Sequence, residues 1–193
     1  MANLLAAHSV GSSLIAYLRN SYPDDLRARH PADFRLLSSG ELVGPVDFGT
    51  LLSLYLYRVT QSEHLRNVQR RPDAGEAPAP LAIDLHYLLT VWADSAVAEH
   101  TILGWAMRQL HDRPVFDVAS LSPEGGWAAS DFVQVIPAEL SNEDVMRIWD
   151  ALDPAYRLSV SYIARTVRID PDAASVGRPV VATRSSFTDQ AGR

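Results

Sequence analysis

Six histidines and 23 acidic residues are the side chains in this 193-residue sequence that could carry metal or acid–base chemistry. The most suggestive pair, His100 and His111, shares one helical face, but a rise of about 1.5 Å per residue separates the two rings by roughly 16 Å. One metal ion therefore cannot bind both within a chain. His86 could approach His100, with Asp94 or Glu99 beside them, but there is no HExxH motif or regular ligand spacing. Histidines at element edges or in polar layers are the favoured interpretation.

Other catalytic signatures are absent from the sequence. There is no cysteine, and all 17 basic residues are arginine, which excludes disulfides, thiolate metal sites, a cysteine nucleophile and a lysine Schiff base. No G-x-S-x-G, Walker or G-x-G-x-x-G sequence is present. Asp84, Asp94, Glu99 and Asp112 cluster along the chain, but helix caps and solvated faces explain most of them. We therefore expect no enzyme activity, no metal and no cofactor.

The composition is typical of a soluble globular protein and argues against nucleic acid or a membrane as its partner. Apolar residues make up 47% and charged residues 21%, as in a soluble globular protein. The net charge of -6 argues against a nucleic-acid binder, because neutralising phosphates needs clustered cations. No apolar run approaches the length of about 18 residues that a membrane span requires, so no membrane partner is expected. These features predict a cytoplasmic protein.

The apolar patterns predict helices and strands in an irregular order. Helices are predicted over 2–20, 95–111 and from Ser141 to 153, strands over 51–60, 81–91, 131–136 and 158–169, and a hairpin within 33–47. The last strand changes its inward face near Tyr162, which predicts a bulge. Since no βαβ rhythm appears, the predicted class is α+β, with a mostly antiparallel sheet flanked by an N-terminal helix and two further amphipathic helices.

The predicted elements form one unit followed by a tail. No repeat or linker divides residues 1–170, and 171–193 has few large apolar residues, which predicts a partly flexible C-terminal tail. Residues 61–80 form a long Pro-rich loop, which is typical of a functional or disordered segment.

Interface candidates come from aromatic and basic residues outside the predicted core. Trp149 belongs to the core stripe of its helix, whereas Trp105 lies off the stripe of its own helix and Trp127 lies in a Gly-rich loop. We predict that Trp105 and Trp127 contact another chain. If functional, the arginines of the 61–80 loop would dock on an acidic partner surface; these are Arg66, Arg70 and Arg71.

Two segments carry a more specific pattern. They read LHYLLTVWADSAVAEHTILGWAMRQLHDRPVF at 85–116 and AELSNEDVMRIWDALDPAYRLSVSYIARTVRID at 138–170. With these segments the chain resembles the tube-terminating cap protein family of extracellular contractile injection systems, the phage-tail-like particles. The resemblance covers most of residues 1–170.

The resemblance implies a tail-terminator-like cap domain that acts without catalysis. Family members form a hexameric ring on the last tube layer, stop tube growth and contact the final sheath layer. A closed head-to-tail ring needs exposed apolar and strand-edge surface, which long strands such as 51–60 and 81–91 could supply. We expect the 61–80 loop and the Trp127 loop to order only on assembly. Such a protein would be cytoplasmic during assembly, with release in an extracellular particle as a further location.

Other functions remain open at this point. Within the same particle, a baseplate or tube subunit is the nearest alternative. A small metal-dependent hydrolase would use His86, His100 and nearby carboxylates. An adaptor would bind an acidic or helical partner through residues 66–71.

Overall fold

The computed structural model describes residues 2–62 and 80–171. The predicted interface arginines Arg66, Arg70 and Arg71 lie outside the described residues, as do residues 172–193 of the predicted tail. None of the described helices combines the length and the apolar character that a membrane span requires.

Helices and strands alternate irregularly along the chain, as predicted. The helices are α1 (Ala6–Ser21), α2 (Asp24–Arg29), α3 (Ala96–Asp112) and α4 (Asn142–Asp150), with short 3-10 helices at Ser39–Leu42 and Pro123–Gly125. The strands are β1 (Asp33–Leu37), β2 (Leu51–Gln61), β3 (Leu81–Trp92), β4 (Val115–Asp117), β5 (Phe132–Pro137) and β6 (Ser159–Ile169).

The strands form one six-stranded sheet in the order β1-β2-β3-β6-β5-β4. Within residues 2–62 and 80–171, β1 and β2 are the only neighbours that run parallel, and the others are antiparallel. The α+β class with a mostly antiparallel sheet is therefore confirmed, in the form of a mixed sheet.

The hairpin predicted within residues 33–47 is wrong. After β1 the chain enters a 3-10 helix, where the Glu41 carboxylate accepts hydrogen bonds from the backbone N–H and hydroxyl of Ser38 at 2.9 and 3.0 Å. This local capping leaves β1 without a hairpin partner. The strand pairs instead with β2, where Phe34 lies opposite Leu52.

The front face of the sheet, defined by Leu85, Tyr87 and Leu89 of β3, carries the main core. Helices α1 and α3 cover this face with buried apolar side chains. The hydroxyl of Tyr87 donates to the carbonyl of Ala7 in α1 at 3.2 Å. Since side chains alternate along a strand, the residues between these three point to the opposite face, the back face.

Helix α4 covers one part of the back face. Its N-terminus is capped as predicted, because the Ser141 hydroxyl accepts from the Asp144 N–H at 3.1 Å. Trp149 is 4% exposed and belongs to a second apolar cluster with residues such as Leu88 and Trp92. The predicted core role of Trp149 follows from this packing.

The β6 bulge exists, but it lies three residues beyond the predicted position. Ala164 pairs with Leu85 and Val167 with Ile83, so two residues of β6 face the single residue Asp84. In the bulge, Thr166 has a φ of 60°, which is rare for a β-branched residue. The Thr166 N–H donates to Oδ1 of Asp84 at 2.8 Å, which stabilises this conformation.

Candidate functional site

The histidines proposed for a metal-dependent hydrolase lie on opposite sides of the sheet. His86 is on the back face, where its Nε2 lies 2.9 Å from Oγ1 of Thr60. His100 is on α3, which packs on the front face, and its Nε2 lies 3.9 Å from Glu99 Oε2. Among residues 2–62 and 80–171, no three His, Asp or Glu side chains gather to form a possible metal site. The structure does not bring this predicted constellation together.

The surroundings of His86 favour its neutral form. Burial lowers the pKa of His86 below the ordinary value of 6.5, and nearby Arg58 lowers it further, while Asp84 opposes both effects. A depressed pKa in the folded state means that protonation favours unfolding. The stability contributed by neutral His86 is therefore complete above pH 6.5 and is lost as the pH falls through the lower folded-state pKa.

Acidification is accordingly expected to destabilise the wild-type chain more than the His86→Gln variant. Glutamine can keep a hydrogen bond to Thr60 but has no ring to protonate. Urea unfolding at pH 7 and at pH 5 measures the difference. His100→Gln, at an exposed position on α3, is the control and should follow the wild type. Equal losses of unfolding free energy between pH 7 and pH 5 in the wild type and in His86→Gln would contradict this prediction.

Trp105 lies half-buried in an aromatic cluster of its own chain. Its ring centroid is 4.8 Å from that of Tyr22 and 6.1 Å from that of Phe34, in edge-to-face geometry. Its indole Nε1 is buried and has no hydrogen-bond partner among the described residues. The predicted contact with another chain would therefore use only the part of the ring that this cluster leaves uncovered.

The Trp127 loop is held against α1. The indole N–H of Trp127 donates to Oγ of Ser9 at 2.9 Å and lies 3.0 Å from the Ser122 carbonyl. In turn, the Ser122 N–H donates to Oγ of Ser13 at 2.7 Å. These hydrogen bonds position the loop within a single chain, and the expectation that it orders only on assembly stays a prediction. Its predicted interface role stays a prediction.

An uncovered surface lies on the back face, beside the part that α4 covers. On β4 and β5 it exposes Val115 and Phe132, which are 44% and 62% exposed. Next to Phe132, a groove of about 460 Å³ runs along β6 past Arg165 and Arg168. The groove is lined by Trp127, Ser130, Asp131, Phe132, Gln134, Arg165, Thr166 and Arg168. Chemically, this surface offers cations and apolar side chains, which suits a protein contact.

The family model described as the Pvc16 N-terminal domain matches residues 9–183. The chain belongs to this family. The match includes both segments on which the resemblance to tube-terminating caps depends. The predicted membership of this family is confirmed.

Two solved structures share the fold of this chain. One is a PVC sheath/tube terminator in the extended state, from an extracellular contractile injection system, with a TM-score of 0.57 and 19% identity over 96% of this chain and 64% of that chain. The other is the tube-terminating cap of the anti-feeding prophage, with a TM-score of 0.54 and 17% identity over 93% of this chain and 59% of that chain. The chain thus spans about three fifths of each solved chain. No curated protein matches the sequence.

Sequence reasoning missed the basic part of the back face. Arg58 comes from β2, whereas Arg165 and Arg168 come from β6, more than a hundred positions later. The arginines that the sequence groups together are instead those of the 61–80 loop. The predicted bulge did not supply the signal: a change of face near Tyr162 puts Arg165 inward with Ile163 and Val167, whereas the observed bulge between Ala164 and Val167 turns Arg165 to the back face.

Proposed function

We propose that this chain is a structural cap that terminates the inner tube of a contractile injection system and contacts the last sheath layer. The observation that carries the proposal is the family match over residues 9–183. The two solved proteins of the same fold, a sheath/tube terminator and a tube-terminating cap, support it. The cap domain spans residues 1–170.

The proposed cap acts as a ring of six copies without catalysis. The two edges of the sheet differ, because β1 ends one side and β4 ends the other. A contact from one edge of a copy to the other edge of its neighbour is heterologous, and rotation can close such contacts into a ring. Among the described residues, β1 pairs only with Leu51–Tyr55, so the rest of β2 offers an edge for this purpose. Strand β3 offers none, because it lies between β2 and β6.

The partners in this proposal are neighbouring copies, the tube protein and the sheath protein. Assembly takes place in the cytoplasm, and the cap leaves the cell only as part of the particle. Trp127, together with the 61–80 loop and its arginines, is proposed to contact these partners. For Trp105, the proposed contact is confined to the exposed part of its ring.

Tube length is the measurement that tests the cap. Tube protein assembled with the chain is expected to give short tubes of narrow length distribution in negative-stain images, and tube protein alone to give longer, heterogeneous tubes. Gold-labelled chain should lie at one tube end. Tubes of the same length with and without the chain would contradict the proposal. Label along the tube or at the baseplate would favour another component of the particle.

A loop variant makes this assay specific. Replacing residues 66–78 by a Gly/Ser segment of equal length should leave the cooperative unfolding of the chain unchanged and abolish length control. The matched control is Arg108→Glu, a charge change on the exposed side of α3, where this side chain is 80% exposed. The control should cap tubes like the wild type.

A further inference from the structure

The back face carries a basic patch on a chain whose net charge is -6. The patch consists of Arg58, Arg165 and Arg168, with Asp84 among them. Asp84 already accepts a hydrogen bond from the Thr166 N–H. In the described part of the chain, no carboxylate lies within ion-pair distance of the three arginines. The patch is therefore ready to bind negative charge from another molecule.

The strained bulge of β6 creates this patch. Ala164 and Val167 are both fully buried in the front-face core. With the bulge between them, Arg165 and Arg168 both point to the back face, whereas in a regular strand residues three apart point to opposite faces. The unusual φ of Thr166 therefore places both arginines on the same face of the sheet.

An apolar surface adjoins the basic patch. Phe132, 62% exposed, lines the same groove as Arg165 and Arg168. Val115, 44% exposed, belongs to the neighbouring strand β4. A matching partner therefore needs carboxylates close to an exposed apolar side chain.

The outward side of α4 has this chemistry. Glu143, Met146 and Asp150 follow one another at helical spacing and are exposed, with Met146 at 45%. Glu143 accepts a hydrogen bond from Arg147 one turn later, but both side chains are more than 70% exposed, and such an exposed pair contributes little and can be exchanged for a pair with another copy. Five acidic residues and one arginine lie within 139–153, which gives this segment a net charge of -4. Because Trp149 and its neighbours hold the other side of α4 against the sheet, the outward side points away from its own chain.

We propose that the basic patch of one copy binds the outward side of α4 of a second copy. This inference rests on the proposed function, in which copies contact each other head to tail, and it names the surfaces that meet. Patch and helix are different surfaces of the same chain, so the contact is heterologous and leaves a free patch and a free helix for the next copies. Arg165 and Arg168 pair with Glu143 and Asp150, and Met146 packs on Phe132.

Charge exchange tests the contact in the full chain. The patch variant carries Arg165→Glu and Arg168→Glu, and the helix variant carries Glu143→Arg and Asp150→Arg. Each variant places like charges opposite each other and should self-associate about a hundred-fold more weakly than the wild type. Sedimentation velocity at constant salt measures this, and far-UV circular dichroism verifies the fold. A control with Arg29→Glu and Arg108→Glu should associate like the wild type.

An equimolar mixture of the two variants gives the decisive result. The reversed patch of one variant then meets the reversed helix of the other, and the two unchanged surfaces also match, so assembly should return. Variants that associate like the wild type, or a mixture that stays dissociated, would overturn the proposal. So would a wild-type chain that remains monomeric at every concentration, with tube ends present or absent.

The tube-length assay separates this inference from the proposed function. If the patch variant associates and caps tubes normally, the contact is wrong and the cap stands. If copies associate through the patch but tubes grow without limit, the contact stands and the cap is wrong. If the patch variant associates normally but fails to bind tube ends, the patch serves the tube protein and the second-copy contact is overturned.

Discussion

Replacing Trp149 with alanine is expected to lower the free energy of unfolding by about 3–5 kcal/mol, the usual cost of removing a buried aromatic ring. Trp149 is 4% exposed and is the buried residue of α4. Its ring contacts those of Trp92 and Tyr156 edge to face, with centroids 5.9 and 6.1 Å away. Loss of the ring leaves a cavity and removes the main contact that holds α4 on the back face. Urea unfolding followed by far-UV circular dichroism measures the change.

Two phenylalanine variants separate the packing of the ring from its hydrogen bonding. The Nε1 of Trp149 is buried and has no hydrogen-bond partner among the described residues, so Trp149→Phe removes an unsatisfied donor together with part of the ring. The Nε1 of Trp92 donates to Oγ of Ser53 at 2.9 Å in the same cluster. We therefore expect Trp92→Phe to cost about 1 kcal/mol more than Trp149→Phe. Equal losses of unfolding free energy in the two variants would contradict the conclusion that the Trp92 indole is hydrogen-bonded and the Trp149 indole is not.

Local sequence signals predicted α4 because they are sufficient to form it. The Ser141–Asp144 cap and the spacing of Val145, Ile148 and Trp149 lie within one short segment. The parallel pairing of β1 with β2 depends on a partner more than a dozen residues away, and no local pattern encodes it. The predicted position of the bulge was wrong for a related reason. Apolar Ile163 follows buried Tyr162 but lies on the back face, so the apolar pattern shifts by one residue before the backbone bulge occurs.

The candidate site was harder to predict, because its residues meet only through the sheet. Trp105 lies off the main stripe of α3, yet Tyr22 and Phe34 from other elements cover much of it. Residues that are close in sequence dominated the predicted interface, whereas Arg58 and Arg165 share a surface only after β3 places β2 and β6 on its two sides. The grouping of these arginines on one surface could therefore be predicted only from the strand order.

Gly125→Ala is expected to lower the free energy of unfolding by about 1–3 kcal/mol, as overpacking of a closely packed site does. A Cβ at Gly125 would lie 2.6 Å from Cε2 of Trp127 and 2.8 Å from Oγ of Ser9. The indole ring cannot move aside freely, since its N–H donates to Ser9. The added methyl group would thus displace the loop that this hydrogen bond holds on α1. Trp127 fluorescence should shift to longer wavelength as the ring becomes more exposed.

Gly104→Ala is the matched control, because the same methyl group is added at a position with open space. Among the described residues, no atom outside the neighbouring residues and backbone of α3 lies within 4 Å of a Cβ built at Gly104, which is exposed in this helix. Alanine in a helix interior is favoured over glycine, so this variant should be about 1 kcal/mol more stable than the wild type. If Gly125→Ala lowers the free energy of unfolding and Gly104→Ala raises it, the loss arises from the Gly125–Trp127 contact. A neutral Gly125→Ala would mean that the Trp127 loop moves freely, which would support the expectation that assembly orders it.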